Sequence, residues 1–268
     1  MIGLIISLLA ALAVGWFIAR DLSSTGWGVF CGAVTALIVQ FIIGLALRKR
    51  VNARQNRIQE LLNETRSKAE RQLAGFQQRR PGDMRGAQEL ILRIQREGVR
   101  EALRETDNFA PLYKWNFLLK RQINTMKIQL YYQLADYKMV DQLLPRALLI
   151  DPQSLAIKLV RMFKNDDPGL DKFYRRKCAK LKSDTGAFIA SVYAWIKIRQ
   201  GDVAAARETL IAAKKRSDNA ILIENCDKLL NGKEKQYSLQ GFGDAWYALA
   251  LEEPKVKMQR QRQQHFYR

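Results

Sequence analysis

Two long apolar runs at the N-terminus constrain the fold of this chain more than any other feature. Residues 2–19 carry no charged side chain, and residues 27–47 are interrupted only by Thr35 and Gln40. A helix needs about 20 apolar residues to cross a bilayer, and about 17 can suffice. The runs therefore predict a transmembrane helical hairpin over residues 1–47. A cleaved signal peptide is the alternative for the first run, but no basic residue precedes it and a second run follows closely.

Basic residues directly after the second run predict the orientation of the hairpin. The segment between the runs carries only Arg20, balanced by Asp21. Under the positive-inside rule, the basic side faces the cytoplasm. We therefore expect the N-terminus and everything after residue 47 to be cytoplasmic. The basic residues expected at the membrane surface are Arg48, Lys49, Arg50, Arg54 and Arg57.

Small residues recur every four positions in both apolar runs. Such spacing lets helix backbones approach closely in a membrane. The pattern predicts that the two spans pack on each other, with dimerisation as the second possibility. Gln40 lies in the same row and is a candidate for a hydrogen bond across the contact. The predicted packing residues are Ala11, Gly15, Gly28, Gly32, Ala36 and Gln40.

Residues 48–105 predict a basic helical juxtamembrane arm. Their composition is rich in Arg, Gln, Glu, Leu and Ala, which favour helix. A narrow apolar stripe over about three heptads has coiled-coil character. Pro81 and Gly82 predict a break, after which Asp83 caps a new helix. The stripe consists of Val51, Ile58, Leu61, Leu62, Ala69, Leu73 and Phe76.

Residues 106–254 contain a repeat pattern. It comprises a Tyr-bearing helix, a small-Asp-Tyr turn, a second helix that includes Ala, and an Asp-Pro stop. The matching residues are Tyr131, Asp136, Tyr137, Ala147, Asp151 and Pro152. This stretch resembles the tetratricopeptide repeat, a 34-residue helix–turn–helix unit. Val140 stands where that repeat usually has Ala, and its early Trp and Gly are absent here.

The spacing of similar segments supports a short array. Pro152 and Pro254 are 102 residues apart, which is three units of 34. A turn is predicted at residues 200–203, a degenerate unit at 155–186, and a last helix pair at 219–231 and 242–252. The resemblance implies an α-solenoid of about four units. A plain helical bundle is the alternative.

A tetratricopeptide-like array implies a binding groove lined by its first helices. The first helices here carry several basic and aromatic side chains, which would suit an acidic or C-terminal peptide segment of a protein partner. The candidate groove residues are Lys127, Tyr131, Lys158, Arg161, Lys197 and Arg199.

The charge of the chain favours anionic partners. Its formal net charge is +19, and the segment 255–268 is basic without any acidic residue. Anionic lipid headgroups are the first candidate partner, and a nucleic acid is the second. His265 in this tail is the only histidine of the chain.

The sequence offers no residues for catalysis. It has no phosphate-binding loop of the Walker kind and no HExxH, and its single histidine disfavours a Ser-His-Asp or Cys-His site. The three cysteines, Cys31, Cys178 and Cys226, form no CxxC pair. We therefore predict a protein that is not an enzyme and that uses neither a cofactor nor a metal.

These features together predict a membrane-anchored adaptor or scaffold. Two spans, an Arg-rich helix and cytoplasmic repeats resemble the architecture of bacterial HemY-type membrane proteins, which implies a bacterial inner membrane. Two other functions stay open. One is membrane-tethered RNA or ribosome binding through the arm and tail. The other is a self-associating membrane organiser that uses the small-residue faces.

Overall fold

The computed structural model of the chain describes residues 2–21, 25–79 and 82–252, and these residues are helical without any strand. The all-α fold class predicted from the sequence is confirmed. Contacts divide the chain into two units, Met1–Leu149 and Ile150–Arg268. The boundary between the two units, after Leu149, lies within residues 106–254, which the repeat pattern predicts to be one domain. Pro254 and the tail 255–268, with His265, lie outside the described residues.

Eleven α-helices occur within the described part of the chain. The first unit contains α1 Ile2–Asp21, α2 Thr25–Arg79, α3 Met84–Glu105, α4 Phe117–Gln133 and α5 Tyr137–Leu143. The second unit contains α6 Pro152–Lys164, α7 Leu170–Phe173, α8 Ser183–Arg199, α9 Val203–Lys214, α10 Ala220–Leu230 and α11 Asp244–Tyr247. A single π-helical turn, Tyr174–Cys178, continues α7.

The apolar segment and the basic arm share one helix. α2 runs without interruption through 55 residues, which corresponds to roughly 83 Å at 1.5 Å per residue. The change from apolar to basic side chains at Leu47 leaves the backbone unaffected, because the Arg, Gln, Glu and Leu residues that follow are good helix formers. α1 packs along the first part of α2 as an antiparallel hairpin.

The predicted break in the arm produces a second hairpin. α2 ends at Arg79, and α3 begins at Met84 with Asp83 as its N-cap, whose carboxylate accepts from the Gly86 amide (2.9 Å). The apolar stripe of α2 is buried in the same chain at Ile58, Leu61 and Ala69. Its partner is α3, so the heptad-like pattern serves an intramolecular contact.

The core of the first unit joins α2, α3, α4 and the 3₁₀ segment Thr106–Leu112. Apolar burial of this kind contributes about 25 cal/mol per Å². Leu47 and Val51, at the end of the apolar run, pack against the same cluster, so the apolar surface of α2 continues into this core. The buried residues are Ile58, Val99, Ala102, Phe109, Leu112, Leu119, Ile123 and Leu130.

The predicted second helix through Ala147 is wrong. α5 ends at Leu143, a 3₁₀ turn covers Leu144–Arg146, and the following residues are not helical. Pro145 lacks an amide proton for a helical hydrogen bond. After Pro145, hydrogen bonds to α4 fix the backbone in a non-helical conformation. Thr125 Oγ1 of α4 donates to the Leu148 carbonyl (2.8 Å) and accepts from the Leu148 amide (3.1 Å). The Asp-Pro pair begins a helix: the Asp151 carboxylate caps α6 at the Ser154 amide (2.8 Å).

The second unit consists of helical hairpins. The turn predicted at residues 200–203 joins α8 to α9, with Gly201 at φ 82° and the Asp202 carboxylate accepting from Ala205. α9 packs on α10, and α6 packs on α8. The predicted helix at 242–252 is shorter than expected, because α11 covers only four residues and Ala250 has a positive φ of 49°. A core of α8, α9 and α10 includes Ala190, Ala194, Ala206, Leu210, Leu222 and Leu229.

Candidate functional site

Small residues form the contact between α1 and α2. A Cβ added to Gly28 would lie 2.7 Å from the Gly15 carbonyl oxygen and 2.8 Å from the Ala19 Cβ. A Cβ at Gly32 would lie 2.8 Å from the Ala11 carbonyl oxygen. Side chains larger than hydrogen at these two glycines would therefore force the helix backbones apart. The structure places four of the six predicted packing residues at this contact.

The remaining two packing candidates have different positions. Ala36 is half-buried, whereas Gln40 is exposed and forms no hydrogen bond with the described residues. The predicted hydrogen bond from Gln40 across the contact is therefore absent from this part of the chain. Gly44 lies off this contact, because an added Cβ there would have no neighbour within 4 Å.

The five basic residues predicted at the membrane surface fall into two groups. Arg48, Lys49 and Arg50 are exposed. Arg54 is half-buried with its guanidinium 6.0 Å from the centre of the Phe109 ring. Arg57 is exposed and forms an ion pair with Glu60 (2.9 Å), and this hydrogen bond raises the Arg57 pKa. The first group is therefore the one whose charges are free to act on an external anion.

The candidate groove residues of the first unit lie on α4. The Lys127 ammonium binds the Asp107 carboxylate at 2.8 Å, and the lysine side chain is only 22% exposed. Tyr131 is half-buried. Since Asp107 already neutralises Lys127, this lysine contributes less to an anion-binding surface than the sequence pattern suggests.

The candidate groove residues of the second unit differ in accessibility. Lys158 and Arg161 on α6 are half-buried, and the Arg161 guanidinium donates to the Asn165 side chain (3.1 Å). On α8, Lys197 is buried and Arg199 is exposed. Two residues place them about 200° apart around the helix, on opposite faces, and the sequence alone does not show which face is buried.

Lys197 belongs to an internal network. Its ammonium lies 2.7 Å from an Asp171 carboxylate oxygen, and the Tyr193 hydroxyl donates to the same carboxylate (2.8 Å). Tyr193 stacks on Tyr174 with ring centres 3.8 Å apart. Burial alone would raise the pKa of Asp171, but the hydrogen bonds from Lys197 and Tyr193 outweigh it and leave that pKa lowered. The network ties α8 to α7.

A second cluster on α8 surrounds a carboxylate of the same unit. The indole N–H of Trp195 donates to Glu252 (3.1 Å), and the indole N–H of Trp246 donates to its other oxygen (3.3 Å). The Arg199 guanidinium lies 4.9 Å from the centre of the Trp195 ring and 3.9 Å from Glu252. This face of α8 binds a carboxylate through aromatic N–H groups and a stacked cation.

The sequence pattern did not predict that Trp195, Trp246 and Glu252 form one cluster. A usable signal existed for one pair, because Trp195 and Arg199 are four residues apart and therefore neighbours on one helix face. Nothing local could have paired Glu252 with Trp195, since 57 residues separate them and tertiary packing brings them together.

An exposed basic cluster begins within α7 and continues after it. Six of the eleven residues from 172 to 182 are Lys or Arg, none is acidic, and all six are exposed. The run is visible in the sequence, but only the structure shows that every charge faces solvent. The basic cluster consists of Lys172, Arg175, Arg176, Lys177, Lys180 and Lys182.

The described residues hold no group of His, Cys, Asp or Glu side chains that could bind a metal ion. The titratable groups with the largest pKa shifts are buried side chains that do not favour catalysis. Burial raises the pKa of the Cys178 thiol to about 12 and also raises the pKa of Tyr237. A thiol with such a pKa is protonated at neutral pH and is a poor nucleophile.

Comparison of the chain with protein-family models, curated proteins and solved structures found no match. The function is therefore argued from the side chains and their arrangement.

Proposed function

We propose that this protein is a non-enzymatic, membrane-anchored adaptor that binds a protein partner through its helical hairpins. The exposed apolar surface of α1 and α2 carries the proposal. Both helices are long and apolar enough to cross a membrane, and only 11% and 6% of their apolar windows are buried. Water would disfavour a continuous apolar surface of this size, whereas lipid would solvate it.

The charge distribution supports a cytoplasmic position for the domain after α2. Arg48, Lys49 and Arg50 follow the apolar stretch and are exposed. By the positive-inside rule, this end of the helix lies on the cytoplasmic side, with the N-terminus on the same side. The resemblance to HemY-type proteins favours a bacterial inner membrane.

The positions of the helices support a tetratricopeptide-like array. The first helices begin at Phe117, Pro152, Ser183 and Ala220. Successive starts are thus 35, 31 and 37 residues apart, close to the 34 of that repeat. The short α5, α7 and α11 depart from the usual second helix.

The face of α8 is the proposed contact for an acidic segment of a protein partner. The exposed Arg199 guanidinium stacks on the buried Trp195 ring and lies 3.9 Å from Glu252 of the same chain, which is longer than a hydrogen bond, so its charge stays open to a carboxylate of a partner. Arg is among the residue types enriched where binding energy concentrates at protein interfaces. Lys158 on α6 is the second accessible candidate, whereas Lys197 is engaged with Asp171.

Affinity purification from mild detergent, with and without nuclease, tests the adaptor proposal. We expect mass spectrometry to identify a stoichiometric protein partner. This partner should be retained after nuclease treatment and lost from the Arg199→Glu variant. The matched control is Lys215→Glu, a charge reversal at an exposed residue of the same unit. Partner capture that is unchanged by Arg199→Glu would contradict this assignment of the surface.

The basic cluster after α7 favours a second function, the binding of RNA or a ribosome. Its six exposed charges could neutralise phosphates, and affinity would then fall steeply with salt. Ribosomal proteins or RNA that disappear from the purification after nuclease treatment would support this function against the adaptor. A homo-oligomer without any other component would support the self-associating organiser.

A further inference from the structure

A cavity lies beside the end of the apolar part of α2. Its volume is about 220 Å³, and it is lined by α2 and by the segment that leads into α4. The backbone amide of Ile2 donates to the Lys114 carbonyl (3.1 Å), which holds this segment next to the start of α1. We call it the boundary cavity; its lining residues are Ile42, Ile43, Ala46, Leu47, Arg50, Leu112 and Trp115.

The lining changes from apolar to cationic along one face of α2. Ile43 and Ala46 lie at the apolar end, and Arg50 follows on the same face at helical spacing. Ile42 and Arg50 are separated by eight residues, or roughly 12 Å along the helix axis. Arg50 is exposed and takes part in none of the ion pairs among the described residues. The cavity therefore fits a molecule with an apolar chain and an anionic head.

We infer that the boundary cavity binds an anionic phospholipid, with an acyl chain against Ile43 and Ala46 and the phosphate at Arg50. The inference rests on the proposed crossing of the membrane by α2. Pockets that enclose a drug-sized ligand measure roughly 300–1,000 Å³, so this cavity holds part of one chain and leaves the rest in the bilayer. Trp115 lines the cavity together with Arg50, and Trp side chains favour the headgroup region.

The second wall distinguishes this site from ordinary lipid contact. A lipid beside an isolated span touches one helix face, whereas the boundary cavity adds Leu112 and Trp115 from outside the hairpin. Leu112 is 4% exposed and belongs to the core of the first unit, so this wall is fixed by packing. A chain between two walls has more neighbours and is retained longer than bulk lipid.

Native mass spectrometry of the full-length protein tests the inference. The protein is equilibrated with an equimolar mixture of dioleoylphosphatidylglycerol and dioleoylphosphatidylcholine in mild detergent, and bound lipids are counted. We expect an about fivefold preference for phosphatidylglycerol, the size that a single basic residue near the surface can supply. Arg50→Gln should abolish the preference, and Ala46→Phe, which fills the cavity, should reduce the binding of both lipids.

Arg48→Gln is the matched control. It removes the same charge near the same surface, but two residues place it about 200° around the helix from Arg50. Equal loss of preference in Arg48→Gln and Arg50→Gln would mean general surface attraction and would overturn the inference, as would a wild type without any preference. Carbonate extraction separates this failure from that of the anchor: a protein that stays in the membrane but lacks lipid preference refutes only the lipid site.

Discussion

Lys197 illustrates how burial decides the role of a single basic residue. In a strongly basic chain a lysine on α8 is expected to add to an anion-binding surface, yet Lys197 is only 7% exposed and binds Asp171. A buried ammonium needs a partner, because water no longer compensates its charge. Arg199 is two residues away and remains exposed. The helix face, and not the residue type, separates a structural cation from a candidate binding cation.

Asp171→Asn should destabilise the second unit. The substitution leaves the buried Lys197 ammonium without a counter-ion. The expected loss is about 1 kcal/mol, less than for a fully buried charged hydrogen bond, because the Asp171 side chain stays 47% exposed and is screened by water. Denaturant unfolding in detergent, followed by circular dichroism, measures it. Glu208→Gln, at an exposed residue without an ion pair in the described chain, serves as the control.

The same variant gives a test of pH dependence. Because the pKa of Asp171 is lowered in the folded state, its contribution is complete above the unfolded pKa and is lost as pH falls through the folded value. The stability difference between wild type and Asp171→Asn should therefore be largest near neutral pH and shrink below about pH 4. A difference that grows in acid would contradict this assignment.

At the scale of elements, α2 combines two environments in one helix. Its first part packs on α1 through glycines, and its later part packs on α3 through an apolar stripe. Both contacts depend on a close approach of the two helices. In the second contact, a Cβ at Gly98 of α3 would collide with the Thr65 side chain of α2. α2 also contains two control glycines, Gly44 and Gly75, at which an added Cβ would have no neighbour within 4 Å.

Gly28→Ala should weaken the α1–α2 hairpin, whereas Gly44→Ala should not. The added methyl group at Gly28 meets the Gly15 carbonyl at 2.7 Å, and an overpacked contact costs about 1–3 kcal/mol. Thermal denaturation in detergent compares the two variants. Equal melting temperatures would mean that the helices can separate at this contact without loss.

Gly98→Ala and Gly75→Ala should have opposite effects on the α2–α3 hairpin. The first introduces the collision with Thr65, at a cost of about 1–3 kcal/mol. The second replaces a helical glycine in open space and should stabilise by about 0.5–1 kcal/mol, since Ala loses less backbone entropy on folding. Denaturant unfolding of both variants measures the difference. Stabilisation by Gly98→Ala would contradict the tight contact.

At the scale of the whole molecule, two units have cores of their own. The first unit builds its cluster from α2, α3 and α4, and the second from α8, α9 and α10. The exposed apolar surface on α1 and α2 belongs to the first unit, and the basic cluster after α7 belongs to the second. The proposed anchor and the boundary cavity thus belong to the first unit, and the proposed protein-binding face of α8 belongs to the second.

The fragment 150–268 should fold without the first unit. All nine buried residues of its cluster come from α8, α9 and α10 of that fragment, so we expect a helical spectrum and a cooperative thermal transition in the absence of detergent. The fragment 183–268 lacks α6, which packs on α8, and should melt at a lower temperature. A non-cooperative transition of the longer fragment would mean that it depends on the first unit.

Features that depend on local composition could be predicted from the amino-acid sequence. The apolar runs, the helix formers after Leu47, the cap at Asp83 and the turn at residues 200–203 each act within a few residues, so the breaks after Arg79 and at Gly201 were predictable. The small-residue spacing likewise indicated which face of each apolar helix could approach a partner.

Features that join distant residues depend on tertiary packing and could not be predicted in this way. The residues after Pro145 match the second helix of a tetratricopeptide repeat, but they are not helical, because the Leu148 backbone is hydrogen-bonded to α4. Packing also buried Lys197, left Arg199 exposed, and brought Glu252 to Trp195 across 57 residues. Burial and long-range hydrogen bonds depend on which elements meet, and local propensity does not contain that information.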